Sequence, residues 1–275
     1  MAEPKVILIT GASSGMGLEA SLQLAAQGHI VYASMRNLDK QTEIVNRAST
    51  SNISVTTLLL DVTQPDTIDA AVTKILEEQN KIDVLINNAG FGQLGALETL
   101  TIAQVKQELD TNFIGAIRCI QAVLPTMRSN KSGTIVNISS VAGIIGFPYG
   151  TVYGSTKFAL EGLSEGLAQE LLPWNINVRI VEPGPVATNF NKDMKFGERE
   201  LADNPYTEKQ KAFKEQMSSM QDMSISQTAE EAAKAIVDAA TNENSALFRF
   251  PTSDWVGELV GKKLKDIYEL SSMIS

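Results

Sequence analysis

Val6-Ile7-Leu8-Ile9 runs directly into Thr10-Gly11-Ala12-Ser13-Ser14-Gly15-Met16-Gly17, and a helical pattern follows over about residues 18–26. The first four residues are a continuous apolar run, as a strand buried on both faces requires. Glycines at a strand-to-helix turn let the backbone approach a pyrophosphate, and the helix N-terminus adds N–H donors and the positive end of its dipole. The spacing is G-x-x-x-G-x-G, not the G-x-G-x-x-G of many dinucleotide folds, so the turn taken alone is equally compatible with a purely structural bend. Its place after the first strand of a strand–helix–strand pattern weighs for phosphate binding.

Working outward, short β-branched runs alternate with helical periodicity. Strands are expected at 6–10, 30–34, 55–60, 84–87, 133–139, 177–182 and 247–250. Between them, Ile68, Ala71, Val72, Ile75 and Leu76 recur at helical spacing after Pro65, which suits a first helical turn. Thr101 with Gln104, and Thr228 with Glu231, have capping-box spacing. A parallel crossover needs a helix to return, so this order predicts an α/β fold. The expectation is a doubly wound Rossmann-type parallel sheet of about seven strands flanked by helices, in one domain over 1–275. The stretch at about 189–226 breaks the rhythm. It is polar yet carries Met194, Phe196, Tyr206, Phe213, Met217, Met220 and Met223, and reads as a substrate lid, with a surface helix pair as the plainer alternative.

Composition narrows the classes of function. The chain has 275 residues, 43% hydrophobic and 20% charged, enough for a large core, with a net charge of -9 from 32 acidic and 23 basic residues. Such acidity excludes a general nucleic-acid binder, which needs a basic face. One cysteine, Cys119, and one histidine, His29, form neither a disulfide nor a Cys/His zinc site, so no metal is expected. No apolar run reaches the about 18 residues of a membrane span, and no signal-peptide pattern opens the chain. A cytoplasmic protein is expected.

Where the second strand ends, an acidic residue would bond a ribose 2′-hydroxyl and an arginine would accommodate a 2′-phosphate. The sequence there is Ser34-Met35-Arg36-Asn37, with no carboxylate before Asp39. Arg36 therefore favours NADP, with NAD kept as the alternative.

Asn137-Ile138-Ser139-Ser140 closes the fifth strand, and Tyr153-Gly154-Ser155-Thr156-Lys157 starts a helix thirteen residues beyond Ser140. Positions i and i+4 share a helix face, so Tyr153 and Lys157 point the same way. An exposed i,i+4 pair would be the ordinary reading, but of five tyrosines only Tyr153 has a lysine four residues on. A tyrosine of pKa about 10 is a poor base at neutral pH. An ammonium about 4 Å away at intermediate dielectric is worth on the order of 4 kcal/mol, which predicts a fall of about three pKa units. Ser140 would hold the substrate oxygen toward the phenol.

These motifs in this order resemble the short-chain dehydrogenase/reductase family, in its single-domain branch, over roughly residues 5–190. Further matches are Asp61-Val62, Asn87-Asn88-Ala89-Gly90, Asn112 and Pro183-Gly184-Pro185-Val186-Ala187-Thr188. The resemblance implies a catalytic tetrad of Asn112, Ser140, Tyr153 and Lys157, with Asn112 holding a relay water through its backbone carbonyl. It implies cofactor contacts from Gly11, Ser13, Ser14, Gly15, Met16, Gly17, Arg36, Asp61, Val62, Asn88, Ala89, Gly90, Tyr153, Lys157, Pro183, Gly184, Val186 and Thr188. Hydride would pass between nicotinamide and a carbonyl or secondary alcohol while Tyr153 moves the proton. Residues 31–36, 146–149 and 248–251 are reminiscent of hydroxysteroid and retinol dehydrogenase-like members. They suggest an apolar substrate held by Ser140, Val141, Phe147, Tyr149, Tyr153 and the lid. By analogy with the family, a homodimer or homotetramer is expected through segments 101–128 and 151–172. An NAD-linked alcohol dehydrogenase and a non-catalytic dinucleotide-binding regulator are the alternatives.

Overall fold

The computed structural model describes residues 3–188, 190, 194–201, 203–220 and 225–274, and only the backbone of 214, 216–220 and 266–274. Its elements run β1 (Val6–Ile9), α1 (Gly15–Ala26), β2 (Ile30–Met35), α2 (Thr42–Thr50), β3 (Thr56–Leu59), α3 (Pro65–Gln79), β4 (Val84–Asn87) and β5 (Gln93–Leu94). They continue with α4 (Ile102–Leu109), α5 (Gly115–Asn130), β6 (Gly133–Ile138), α6 (Thr151–Glu170), β7 (Ile176–Glu182), β8 (Val186–Ala187) and β9 (Lys195–Phe196). The last are α7 (Thr207–Met220), β10 (Gln227–Thr228), α8 (Ala229–Thr241), β11 (Arg249–Pro251) and α9 (Asp254–Ile274).

Seven strands form one parallel sheet in the order β11-β7-β6-β4-β1-β2-β3. Side chains alternate across a strand, so each apolar run feeds two cores. Ile7 and Ile9 of β1, with Val84 and Ile86 of β4, join the α1 and α8 side, while Val6, Leu8 and Leu85 join the α3 and α5 side. Winding reverses between β1 and β4, and the crevice at the carboxyl ends of these strands is where such sheets bind ligands. The seven expected strands are all present, with ends shifted by one or two residues. The two capping boxes, Thr101 with Gln104 and Thr228 with Glu231, both form.

The tertiary structure adds features that strand and helix patterns do not carry. Between α4 and α5 the chain makes a π-helical turn over Asp110–Ile114, which places Asn112 at its centre. Arg179 of β7 is buried and donates to the carbonyls of Ala239, Asn242 and Asn244 at 2.7, 2.8 and 3.3 Å, capping the C-terminus of α8 with positive charge. Within the 189–226 stretch, β9 pairs with β5 and α7 follows; just beyond it β10 pairs with β8, which precedes the stretch. Residues 189, 191–193, 202 and 221–224, Met223 among them, and the side chains of Met217 and Met220 lie outside what is described.

Candidate active site

A single cavity of about 1480 Å³ runs along the carboxyl ends of β1, β4, β6 and β7. At one end stand Gly11, Ser13, Ser14, Gly15, Met16, Arg36, Asp61 and Val62. Ser14 precedes α1 with extended backbone and no side-chain cap, and the first turn of α1 carries no acid. The helix therefore presents N–H donors and positive dipole to the cavity, as a pyrophosphate requires. Gly11 sits at φ +69, and a Cβ there would lie 2.8 Å from the Ala89 Cα. Gly11→Ala is expected to destabilise the protein by about 1–3 kcal/mol, read by urea denaturation, through strain at a left-handed position closed by backbone.

Gly17 is not on the cavity wall, and a Cβ there would run into the Asn88 carboxamide and the Gly11 carbonyl. Its missing side chain leaves room for Asn88, which donates to the carbonyls of Thr10 and Gly11 at 3.0 and 2.9 Å and braces the turn. Asn88, Ala89, Gly90, Pro183, Gly184, Val186 and Thr188 do line the cavity. Asp61 lines it too, while its Oδ1 accepts from the backbone and hydroxyl of Thr63 at 2.9 and 2.8 Å. Arg36 is exposed on the rim and makes no ion pair or hydrogen bond among the described residues, which suits a 2′-phosphate; Asn37 and Lys40 stand with it. These two were missed in the sequence, where exposed polar residues after a strand carry no distinguishing pattern.

At the other end Ser140, Tyr153 and Lys157 converge. The Ser140 hydroxyl favours the ionised form of the Tyr153 phenol, and its Oγ accepts the Ala142 N–H at 3.1 Å. Lys157 donates from Nζ to the Ile138 carbonyl at 2.8 Å and lies 5.8 Å from the Tyr153 ring centroid. Asn112 is off the cavity wall, its side chain committed to Phe91 N and O at 3.0 and 2.8 Å and to Thr156 Oγ1 at 3.2 Å.

The electrostatics reverse one expectation. Burial pushes the Tyr153 phenol up to about 12, against the Ser140 hydroxyl, instead of letting Lys157 pull it down. The Lys157 ammonium is turned to the Ile138 carbonyl, and burial decides the phenol. Burial also lowers Lys157 to about 8, with Glu108 and Glu161 opposing the fall. Tyr153 thus holds its proton firmly at neutral pH, and Lys157 is charged.

The outer wall is apolar, with Val141, Phe147, Phe190, Met194, Phe213 and Trp255 on it. Tyr149 is not on the wall. Its backbone takes a left-handed turn (φ +60), its carbonyl accepts the Gly95 N–H at 2.7 Å, and its ring packs 5.2 Å from Phe213. Phe190 packs 5.7 Å from the Tyr153 ring. Trp255 and Leu259 of α9, also on the wall, were not found from the sequence, because their contribution depends on where the last helix docks.

A fold of this winding, in which one cavity joins a phosphate-type turn to a tyrosine–lysine pair, defines a class, the dinucleotide-dependent oxidoreductases. Residues 5–199 match the family described as short chain dehydrogenase, and the chain belongs to that family. It is 44% identical over 196 residues to a 3-ketodihydrosphingosine reductase of Bacteroides thetaiotaomicron, covering 71% of this chain and 69% of that protein. It is 44% identical over 193 residues to retinol dehydrogenase 8 of Homo sapiens, covering 69% of this chain but 61% of the human protein, less than two thirds of its length. A solved short-chain dehydrogenase from Streptomyces avermitilis superposes with TM-score 0.84 at 34% identity, over 99% of this chain and 97% of that one. ElxO, solved with NADP bound, superposes with TM-score 0.75 at 29% identity, over 91% and 98%. Among the described residues no helix is long and apolar enough to cross a membrane.

Proposed function

We propose that the chain is an NADP-dependent oxidoreductase that transfers hydride between nicotinamide and the carbonyl or secondary alcohol of an apolar small molecule. The observation that carries this reading is the continuity of one cavity from Arg36 and the glycine turn to Tyr153 and an aromatic wall. The residues fit the dinucleotide: the uncapped N-terminus of α1 takes the pyrophosphate, Arg36 a 2′-phosphate, and Lys157 with the 183–188 turn the nicotinamide end. Bound there, it supplies or accepts the hydride. Tyr153 holds a proton at its Oη and gives it to the substrate oxygen, or takes it back in the reverse direction, while Ser140 orients that oxygen. Burial raises the pKa of Tyr153, so the phenol carries its proton at neutral pH. Segment 189–226 acts as a lid over the substrate, a reading supported by Phe190, Met194 and Phe213 on the cavity wall.

NADP over NAD rests on Arg36. Arg36→Ala is expected to raise the NADPH dissociation constant by roughly 10–100-fold and leave NADH nearly unchanged, as loss of a charge-assisted hydrogen bond predicts. Equal effects on both nucleotides, measured by fluorescence titration, would turn the reading to the NAD-linked alternative. Exposed Ile102, Ile114, Phe158 and Leu172 support assembly into a dimer or tetramer, which light scattering tests. A lone buried Cys119 supports a cytoplasmic setting.

A further inference from the structure

The 183–188 turn, at the proposed nicotinamide end of the cavity, has little of its own to hold it. Pro183-Gly184-Pro185 joins β7 to the two-residue strand β8, and the two prolines have no N–H to donate. Pro183, Gly184, Pro185, Val186 and Thr188 all line the cavity. The place of this wall must therefore be set by bonds to other segments.

Those bonds converge on Thr252, the first residue after β11. Its N–H donates to the Glu182 carbonyl at 3.2 Å, its Oγ1 accepts the Gly184 N–H at 3.4 Å, and its carbonyl accepts Gln227 Nε2 at 2.7 Å. Gln227, in β10, donates its own N–H to the Pro185 carbonyl at 3.0 Å and pairs with Val186. One threonine thus reaches Glu182 and Gly184 directly, and Pro185 through one glutamine. The bond to Glu182 only continues the β11–β7 ladder, in which Pro251 pairs with Glu182. The side-chain bond with Gly184 and the one from Gln227 have no part in that ladder.

The first turn of α9 closes over the same place. A Cβ on Gly184 would stand 2.8 Å from Val256 Cγ2 and 3.4 Å from Trp255 Cζ3, so the helix lies directly on this glycine. Val256 and Val260 pack with Ile144, which anchors α9 to the segment after Ser140. That segment also holds the turn from its other side, since Val141 donates to the Pro183 carbonyl at 2.9 Å. Trp255 and Leu259 reach the cavity wall, whereas Thr252 and Gln227 do not.

We propose that Thr252 is a positioning residue for hydride transfer, tying the 183–188 turn to β10 and α9 and so keeping the nicotinamide wall in place without contacting nucleotide or substrate. The proposal rests on the reading of the cavity given under Proposed function. Phosphate binding at α1 and Arg36 uses other residues, so affinity and alignment should separate when Thr252 is changed. A misplacement of about 1 Å can cost about 10²-fold in rate.

Thr252→Val keeps the backbone bonds to Glu182 and Gln227 and removes only the Oγ1 acceptor; Thr252→Ser restores it. Gln227→Leu loosens the same residue from the β10 side. NADPH emits from its nicotinamide ring, so the anisotropy of bound NADPH at saturation reads how firmly that end is held. Anisotropy should fall in Thr252→Val and in Gln227→Leu and return in Thr252→Ser. The NADPH dissociation constant should stay within about threefold, because the phosphate end is untouched. Single-turnover hydride transfer should slow by about 5–50-fold in Thr252→Val. Combining it with Gln227→Leu should cost much less than the product of the two single effects, since both act through one clasp. Unchanged anisotropy in both single variants, or a loss that Thr252→Ser does not restore, would overturn the proposal. So would a lowered urea midpoint with wild-type anisotropy, the mark of a bond that only supports the fold. Should Thr252→Val fail to fold, Gln227→Leu carries the same readouts. A wild type that binds NADPH but reduces no carbonyl counts against the proposed function and leaves the anisotropy test standing. A wild type that binds no dinucleotide removes both.

Discussion

Tyr153→Phe is expected to lower carbonyl turnover by about 10²–10⁴-fold while the NADPH dissociation constant stays within a factor of about two. The variant removes one oxygen, the one that holds the transferable proton. The phenyl ring can keep its place 5.7 Å from Phe190, so the cavity wall need not move. The Ser140 hydroxyl retains the Ala142 N–H at 3.1 Å. Because burial holds the phenol up to about 12, removing the hydroxyl takes a neutral group out of an enclosed site and leaves no stranded charge. Fold and nucleotide binding should therefore survive the change. Single-turnover hydride transfer at saturating NADPH measures the effect, and a variant with more than a tenth of wild-type rate would remove Tyr153 from the mechanism. No turnover by the wild type of any carbonyl or alcohol in a broad panel, with NADPH still bound, would instead favour the regulator reading.

The second large effect lies behind the site. Arg249 of β11 pairs with Glu161 and Glu165 of α6, each at 2.7 Å, and with Glu182 of β7. Glu161 and Glu182 are both buried, so Arg249→Ala would strand two like charges beside each other. Breaking a buried pair by removing one partner costs about 3–5 kcal/mol. The penalty should depend on pH in a definite direction. Burial raises both carboxyls, Glu182 to about 7, so the folded state binds protons that the unfolded state releases between about pH 4.5 and 7. Stability from these groups is therefore present below 4.5 and falls as pH rises through 7. Without Arg249 the window extends upward, and urea unfolding should show a small cost at pH 5.5 and the full cost at pH 8. A loss below about 1 kcal/mol at pH 8 would mean that the three carboxylates are solvated independently of the arginine.

Much of this architecture is legible residue by residue. Apolar runs such as Val84-Leu85-Ile86 admit one reading, a strand covered on both faces, because each alternate side chain needs its own core. The Thr101 and Thr228 capping boxes are local chemistry complete within four residues, and both form. Tyr153 and Lys157 share a face because four residues nearly complete a helical turn, and the structure brings Ser140 to them across the end of β6. The less legible residues depend on long-range packing. That Gly17 also makes room for Asn88, which follows β4, is visible only in the packing. Tyr149 reads as a pocket residue until its left-handed backbone turns the ring to Phe213. Asp110–Ile114 gives no sign of a π-turn, since the sequence is compatible with one continuous helix.

The same division holds for the feature that names the chemistry. Sequence alone determined that a glycine-rich turn follows the first strand, that Arg36 and no acid ends the second, and that a Tyr-x-x-x-Lys pair follows a Ser-Ser strand end. Each of these follows from backbone geometry or from the order of residues within a few turns. Only the tertiary structure decided the protonation of that pair. The local pairing of Tyr153 with Lys157 predicts a lowered phenol, whereas enclosure pushes it up to about 12 and draws the lysine to about 8. Desolvation depends on everything that surrounds a group, including Glu108 from α4 and the aromatic wall from residues far along the chain. No spacing of residues in the sequence records it.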